Sequence, residues 1–287
     1  DINSVTEDLP DNSRPETFSV LTYNIHKGFS VANRRFTLVA IREALEEISP
    51  DVIFLQELQG EHDRRSEKIE DWPLKPQGEF LAENHWPFSL YAKNAVYKKG
   101  HHGNGILSKS PIVEWDNVNL SRSSFASRSY LHAKVHLPFN GKDPENKGLG
   151  NKEISHDSQT NPALIHLVCV HLGLFEAERA EQLSVVADCI HQTIPEDEPL
   201  IMAGDFNDWR KRAIDHMKID LNLKEAFQSH EGRHARTYPC WNPLLQVDRI
   251  YYRGLELYET LNFKQRSWKK LSDHLPIGAV FKCPAAK

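Results

Sequence analysis

Apolar residues along the chain fall into short runs, and polar residues follow where several of these runs end. Residues 200–203 form one such run; Gly204 ends it, and Asp205 and Asn207 come next. A short apolar run before a turn signal is typical of a strand covered on both faces. Because side chains alternate along an extended segment, Asp205 and Asn207 are expected to project to one side and Phe206 to the other.

Two parts of the chain share the order strand, polar residue, helix, strand, polar residue. In the first part, strands at 18–24 and 51–55 flank a helix at 35–48, and Asn24 and Glu57 stand where the strands end. Apolar residues of the helical segment recur on roughly one face, which is typical of an amphipathic helix. This order predicts a βαβ-like unit with polar residues at both strand ends.

The second part begins with a strand at 163–170, which is followed by His171, a helix at 176–192 and the strand that opens at Leu200. Acidic residues in the first turn of the helix support its start. Strands outnumber helices, and several follow one another without a helix, which favours a layered α/β fold with mixed, mostly antiparallel sheets. Further strands are predicted at 88–97, 104–108, 129–137, 246–252, 255–263 and 277–282.

Other segments lack a strong pattern. Residues 1–16 are polar and are predicted to form a flexible tail, so a single domain is expected over 17–283. Residues 58–87 are predicted to be a long loop with one short helix. Turns are predicted at 25–28 and 98–103, and a short helical region at 210–217. Residues 140–162 are predicted to be a polar surface insertion.

Composition narrows the class of protein. A formal net charge of −5 argues against tight, sequence-independent binding to nucleic acid, which depends on basic surface. The four cysteines lack the spacing of a zinc site or a disulfide framework. No apolar run approaches the roughly 18 residues that cross a bilayer. We expect a soluble monomer without a transmembrane segment and favour the cytoplasm, although Asp1 in place of Met leaves a removed leader open.

Polar residues at the predicted strand ends form the candidate site, because strand ends in layered α/β folds meet at one edge. Carboxylate and amide oxygens suit a hard ion such as Mg²⁺ that also binds a substrate phosphate. Two histidines and further carboxylates provide proton transfer near neutral pH. Taken singly, each residue also fits a structural role in a loop or turn. The set is Asn24, Glu57, His171, Asp205, Asn207, Asp248, Asp273 and His274.

Missing motifs narrow the chemistry further. The chain carries no Gly-x-Ser-x-Gly motif, so water is favoured as the nucleophile over a covalent enzyme intermediate. It carries no Walker loop, which disfavours ATP-driven chemistry.

With these residues assembled, the chain resembles the endonuclease/exonuclease/phosphatase superfamily, which has the pancreatic deoxyribonuclease-like fold. The resemblance covers residues 17–282, and the forms Asn24-Ile-His-Lys-Gly28 and His101-His-Gly-Asn104 look most like its bacterial YbhP-like branch. The motifs that carry it are, in order, Leu21-Thr-Tyr-Asn24, Leu55-Gln-Glu57, Gly105-Ile-Leu-Ser108, Val170-His-Leu172, Gly204-Asp-Phe-Asn207, Val247-Asp248 and Ser272-Asp-His274.

The resemblance implies a four-layer α/β/β/α sandwich, with two sheets packed face to face and helices outside. It also implies hydrolysis of a phosphodiester or phosphomonoester with Mg²⁺, or with Mn²⁺. Nucleic acid, phospholipid and small phosphoesters stay open as substrates. The implied metal ligand is Glu57, with Asn24 and Asp273 nearby; the implied catalytic residues are His171, Asp205, Asn207, Asp248 and His274; and the implied substrate contacts are Asn24, Asn207, His102 and Asn104.

Two points stay open within this resemblance. Either His274 or Asp205 takes the proton from water, and His274 is favoured because Asp248 can hold its tautomer. His26 stands where some nucleases of the superfamily carry a carboxylate, which predicts weaker Mg²⁺ binding or a preference for Mn²⁺. The alternative function is a catalytically silent module that binds a phosphate ligand or nucleic acid on the same fold.

Overall fold

The computed structural model describes residues 16–97, 100–121, 128–136, 164–210 and 218–283. Residues 1–15 of the predicted tail and the whole predicted insertion at 140–162 lie outside the described residues. The predicted single domain at 17–283, with its tail and its insertion, therefore stays a prediction.

The described strands form two six-stranded sheets. The first sheet has the strand order β11-β12-β1-β2-β4-β3, and the second has the order β5-β6-β7-β8-β10-β9. Each sheet contains one parallel pair, β1 with β2 and β7 with β8, among antiparallel neighbours. The strands are β1 Thr17–Asn24, β2 Val52–His62, β3 Phe88–Tyr97, β4 Gly100–Ser108, β5 Ile112–Asn119, β6 Ser129–His136, β7 Leu164–His171, β8 Leu200–Asp205, β9 Lys224–Glu225, β10 Asp248–Arg253, β11 Leu257–Asn262 and β12 Ile277–Lys282.

Helices cover the outer face of each sheet. The described α-helices are α1 Leu38–Ile48, α2 Asp63–Ser66, α3 Gln77–Ala82, α4 Glu176–Thr193 and α5 Ala226–Glu231. Buried apolar residues of α1 pack on the first sheet, and those of α4 pack on the second. The described part of the chain has no helix that is both long enough and apolar enough to cross a membrane.

Alternation along the strands builds the core between the sheets. Val20 and Phe54 of the first sheet pack with Leu167 and Ile201 of the second. Their neighbours along the strands, Leu21 for example, turn to the helix side instead. Two sheets face to face with helices outside make the layered α/β sandwich that the sequence predicts, so the fold class is confirmed.

Three segments differ from the sequence prediction. Residues 58–87 are not one long loop, because β2 continues to His62 and helices α2 and α3 follow. A bulge between Leu55 and Leu58 breaks the alternation of apolar and polar residues along β2. The second half of the strand therefore cannot be recognised from sequence periodicity. Residues 100–103, which were predicted to belong to a turn, are part of β4, since that strand begins at Gly100.

Strand β5 was not predicted at all. It is an edge strand with largely exposed residues, including Val113 and Trp115, so it lacks the alternating pattern of a half-buried strand. The helical region predicted at 210–217 lies outside the described residues except for Arg210.

Two buried histidines of the second sheet form a hydrogen-bonded chain away from its carboxyl ends. His132 Nε2 and His166 Nδ1 are 2.8 Å apart, and the rings stack with centroids 5.1 Å apart. His166 Nε2 in turn pairs with the carboxylate of Glu198. Burial, with a smaller contribution from His166, lowers the pKa of His132 to about 4. His132 therefore stays neutral in the folded protein at a pH where an exposed histidine is protonated.

Mild acid is expected to destabilise the fold through His132. As the pH falls below the ordinary histidine pKa, about 6.5, the unfolded chain binds a proton that the buried ring does not bind, so stability is lost. The loss at pH 5 relative to pH 7.5 is on the order of 2 kcal/mol for this residue. Urea unfolding at both pH values measures it. The loss should shrink in His132→Gln and persist in His230→Gln, whose side chain is exposed; equal losses in all three proteins contradict the prediction.

Candidate active site

The ends of the two parallel strand pairs place the candidate residues together. In the second sheet, His171 lies opposite Asp205, and Asp205 lies opposite Asp248 on the neighbouring strand β10. In the first sheet, Asn24 ends β1 beside Gln56 of β2. The Asn24 Nδ2 atom donates a hydrogen bond to Asp205 Oδ2 at 3.1 Å. The two sheets therefore meet at this bond, and the site lies between their carboxyl ends.

His274 lies between two buried carboxylates. Its Nδ1 atom is 2.8 Å from Asp248 Oδ2, and its Nε2 atom is 3.8 Å from Asp205 Oδ2. The ring of Tyr238 packs against the imidazole, with centroids 4.9 Å apart. All three members of the Asp248–His274–Asp205 chain are buried. This arrangement fixes the ring orientation and points one nitrogen to each carboxylate.

Burial and nearby charges raise the pKa values of both His274 and Asp205. Burial alone lowers the pKa of His274, but the carboxylates of Asp248 and Asp205 outweigh it and raise the pKa to about 10. Burial raises the pKa of Asp205, and the nearby charge of Asp248 raises it further, against the imidazolium of His274. His274 is thus protonated near neutral pH, while Asp205 releases its proton at a higher pH than an ordinary aspartate.

His171 is neutral in this environment. Burial, and then the positive charge of Arg128, lowers its pKa well below the ordinary value. Arg128 Nη1 is hydrogen-bonded to His171 Nε2. Because a guanidinium only donates, Nε2 accepts and the ring proton resides on Nδ1. That Nδ1 is buried and has no hydrogen-bond partner among the described residues. Its N–H group therefore donates to none of them.

Asn207 shapes the loop that follows Asp205. Its backbone N–H donates to Asp205 Oδ1 at 3.0 Å, and its Nδ2 donates to the carbonyl of Leu172 at 2.9 Å. Its φ of 50° lies in the left-handed region, which asparagine tolerates better than most residues. Phe206 is fully buried against Tyr251 in the apolar cluster on the helix side of the sheet. The alternation was predicted for an extended segment, and the left-handed φ of Asn207 shows that the extended conformation does not continue to this residue.

Glu57 sits on the bulge of β2 with a φ of 58°. Its Oε2 atom accepts a hydrogen bond from Lys27 Nζ at 2.7 Å. Burial alone raises the pKa of Glu57, but the positive charge of Lys27, together with its hydrogen bond, lowers the pKa below the ordinary range. Glu57 is therefore ionised throughout the physiological range.

Asp273 lies beside the turn that follows β1. Its Oδ1 atom is 3.8 Å from His26 Nδ1 and accepts a hydrogen bond from Ser272 Oγ at 3.3 Å. Ser272 Oγ also donates to the carbonyl of Asn24 at 2.7 Å. The residues predicted as metal ligands thus lie around one short stretch of chain, the turn that follows β1.

His102 and Asn104 lie on β4, next to this group. Burial lowers the pKa of His102 to about 4, and the charges of Lys27, Glu57 and Arg128 also act on it, which places the ring beside them. Asn104 Nδ2 donates to Ser129 Oγ at 2.8 Å, whereas its Oδ1 is buried and without a partner among the described residues. Both side chains therefore face the interior near the site and not the solvent.

The donor atoms suit a divalent cation. Among the described residues, Asp205, Asp248 and His274 bring three candidate ligand atoms within 4.8 Å of one another. Asp248 Oδ1 is buried and has no hydrogen-bond partner within the described part of the chain. The two carboxylates suit Mg²⁺ or Mn²⁺. The imidazole would have to lose a proton before it could act as a ligand, and it suits ions such as Zn²⁺.

Sequence reasoning missed three residues of the site: Lys27, Arg128 and Tyr238. Arg128 reaches His171 because Ser129 lies opposite His171 across β6 and β7, a pairing that the sequence does not reveal. Lys27 had a visible signal, since it lies in the predicted turn directly after Asn24.

Comparison with known proteins identifies related sequences and structures. The sequence model described as the Endonuclease/Exonuclease/phosphatase family matches residues 21–274. The chain is 39% identical over 271 residues to the uncharacterized protein YbhP of Escherichia coli (strain K12), covering 94% of this chain and 98% of that protein.

Solved structures share the fold at low identity. An endonuclease/exonuclease/phosphatase from Beutenbergia cavernae superposes with a TM-score of 0.66 at 18% identity, covering 95% of this chain and 73% of that one. The human Nocturnin catalytic domain with bound sulfate superposes with a TM-score of 0.63 at 18% identity, covering 92% and 94%. With the family model matching most of its length, the chain belongs to the endonuclease/exonuclease/phosphatase family.

Proposed function

We propose that this protein is a phosphoesterase that hydrolyses a phosphodiester or phosphomonoester with a divalent cation, Mg²⁺ first and Mn²⁺ as the alternative. The observation that carries the proposal is the buried Asp248–His274–Asp205 chain, with 2.8 Å and 3.8 Å separations, at the meeting point of the two sheets. Membership of a family named for nucleases and phosphatases supports the reaction class.

Asp205 is the better candidate for the general base. The sequence favoured His274, but a histidine whose pKa is raised well above neutrality already carries its proton. Asp205 has a raised pKa, which brings a carboxylate closer to the working pH of a base. In this assignment Asp205 takes the proton from the attacking water. His274 stays an imidazolium, held by Asp248, and stabilises the charge that develops on the phosphoryl group.

The oxygen ligands around the turn after β1 are assigned to the cation. Glu57 is the ionised carboxylate that would hold it, with Asn24 and Asp273 beside it. A bound divalent ion supplies charge stabilisation at the phosphoryl oxygens and lowers the pKa of a coordinated water.

The other candidates are assigned to the substrate or to the positioning of Asp205. His171 presents a protonated Nδ1 without a partner among the described residues, so it is available as a donor to a phosphoryl oxygen. Asn24 and Asn207 hold Asp205 in position by hydrogen bonds to its two carboxylate oxygens. His102 and Asn104 line the same interior. The sulfate bound to the human Nocturnin domain is a tetrahedral anion like phosphate, and supports an oxyanion site in this fold.

A substrate panel tests the proposal. Plasmid DNA, single-stranded DNA, RNA, sphingomyelin, glycerophospholipids, inositol phosphates and a chromogenic phosphodiester are incubated with Mg²⁺, with Mn²⁺ and with EDTA. Lipids belong in the panel because Leu174, Phe175 and Trp209, on the loops that follow β7 and β8, are exposed. We expect turnover of at least one class that chelation abolishes. Turnover that survives EDTA, or its absence throughout, contradicts the proposal.

One observation favours a second candidate, a binding module without turnover. The Glu57 carboxylate, which we assign to the cation, already forms an ion pair with an ammonium group, since Lys27 Nζ lies 2.7 Å from its Oε2 atom. A protein that only binds a phosphate ligand has no need to exchange that ammonium for a metal. Saturable binding of phosphate esters by the folded protein, with no turnover in the panel, is the result that selects this function.

A further inference from the structure

The turn after β1 directs a lysine at the carboxylate that we assign to the cation. Lys27 Nζ donates to Glu57 Oε2 at 2.7 Å, and both side chains are about three-quarters or more buried. Backbone φ values of 47° at His26 and 59° at Lys27 turn the chain back toward the bulge of β2, where Glu57 lies. The contact therefore results from an unusual backbone conformation as well as from charge attraction.

This turn is fixed in place by buried hydrogen bonds. Gln77 is fully buried, and its Nε2 atom donates to the Lys27 carbonyl at 2.9 Å. The Gly28 N–H donates to the carbonyl of Ile25 at 2.9 Å. A Cβ atom at Gly28 would lie 2.9 Å from Gln77 Nε2, so the two segments are in close contact. Whatever displaces Lys27 from Glu57 must move the side chain, because the backbone is held.

A second basic residue of the turn faces the second carboxylate. His26 Nδ1 lies 3.8 Å from Asp273 Oδ1. Consecutive basic residues thus approach the two carboxylates, Glu57 and Asp273, that are assigned to the cation. Lys27 therefore places a positive charge at the carboxylate that is assigned to the cation.

We propose that Lys27 is an internal competitor for the divalent cation, occupying Glu57 until the ion displaces its ammonium. The inference rests on the proposed role of Glu57 as a metal ligand. At equal distance a divalent ion attracts a carboxylate twice as strongly as an ammonium does, so displacement is feasible. The attraction between Lys27 and Glu57 must be given up, however, and this weakens the affinity for metal. Lys27 then sets the metal concentration at which the protein becomes loaded.

Titration of the full chain with Mn²⁺, followed by calorimetry and by the electron paramagnetic resonance of the free ion, tests this without a substrate. Lys27→Met keeps the length of the side chain and removes its charge. It is expected to bind Mn²⁺ about tenfold more tightly than the wild type, the change that corresponds to loss of one partly buried ion pair. Lys75→Met is the matched control, because Lys75 forms a comparable ion pair with Glu83 at 3.1 Å in an exposed position; its affinity should not change.

The double variant Lys27→Met/Glu57→Gln should lose the gain, which locates the effect at Glu57. The proposal is overturned when Lys27→Met binds within about twofold of the wild type, when the gain persists in the double variant, or when neither protein binds Mn²⁺. Lys27→Gln replaces Lys27→Met should the latter not fold. Failure of the proposed hydrolysis is read separately, as a lack of turnover, since metal affinity is measured with no ester present.

Discussion

Replacing His274 with glutamine is expected to lower kcat/KM for the preferred phosphate ester by about 10²–10⁴-fold, the range for loss of a positioned acid–base or charge-stabilising group. Glutamine can still donate to Asp248, so the loop keeps a partner, but the positive charge between two carboxylates is gone. The phosphoryl group then develops its negative charge without the imidazolium. Steady-state kinetics on the substrate selected by the panel measures the effect.

The control for this variant is His230→Gln, which changes an exposed histidine of α5. It should retain wild-type kinetics. Because His274→Gln leaves Asp205 and Asp248 buried with less compensation, its stability is followed by urea unfolding at the same pH. A folded His274→Gln protein that keeps kcat/KM within about threefold of the wild type rules out an essential role for the imidazolium.

Replacing Asp205 with asparagine is expected to lower kcat by a similar factor, about 10²–10⁴, and to change the pH profile as well. In the wild type a base must be deprotonated to act, so the rate falls as the pH drops through the pKa of Asp205. Burial raises that pKa, hence the acid limb should lie well above the ordinary aspartate value of about 3.9. Asp205→Asn should lack this limb, whereas exposed Asp220→Asn should keep it.

The fall in rate at alkaline pH tests the proposed role of His274. His274 acts as an imidazolium in our assignment, so the rate should fall only when the pH rises through its raised pKa, well above the ordinary histidine range. The reverse assignment, with His274 as base, makes a different prediction: the acid limb then belongs to His274 and survives in the residual activity of Asp205→Asn. The variant in which the acid limb disappears therefore identifies the base.

Much of the fold was accessible from hydrophobic patterning, because its strands are buried and its helices amphipathic. Asn24, His171 and Asp205 were found because each stands where an apolar run stops, and the register brings them together. The continuation of β2 was missed because a bulge at Glu57 breaks the alternation. β5 was missed because an edge strand with exposed residues carries no such pattern.

The chemistry of the site was less accessible than its location. The choice between Asp205 and His274 depends on burial and on two carboxylates contributed by different strands, none of which is a property of the local sequence. The ion pair of Lys27 with Glu57 depends on left-handed residues in the turn after β1. Sequence motifs therefore located the residues, and the tertiary structure was needed to suggest their protonation states and partners.

The pairing of β12 with β1 in the first sheet ties the assembly of the candidate site to the completion of folding. β12 pairs with β1, and Ser272, just before β12, bonds to Asn24 across 248 residues of sequence. Contacts between such distant residues form slowly, and incomplete chains expose unpaired strand edges. During synthesis, β12, which is the second neighbour of β1, and His274 are made only after nearly all of the described chain. For the hydrolase proposed above, a nascent or truncated chain would therefore lack the assembled candidate site, and hydrolysis would begin only after β12 has been inserted.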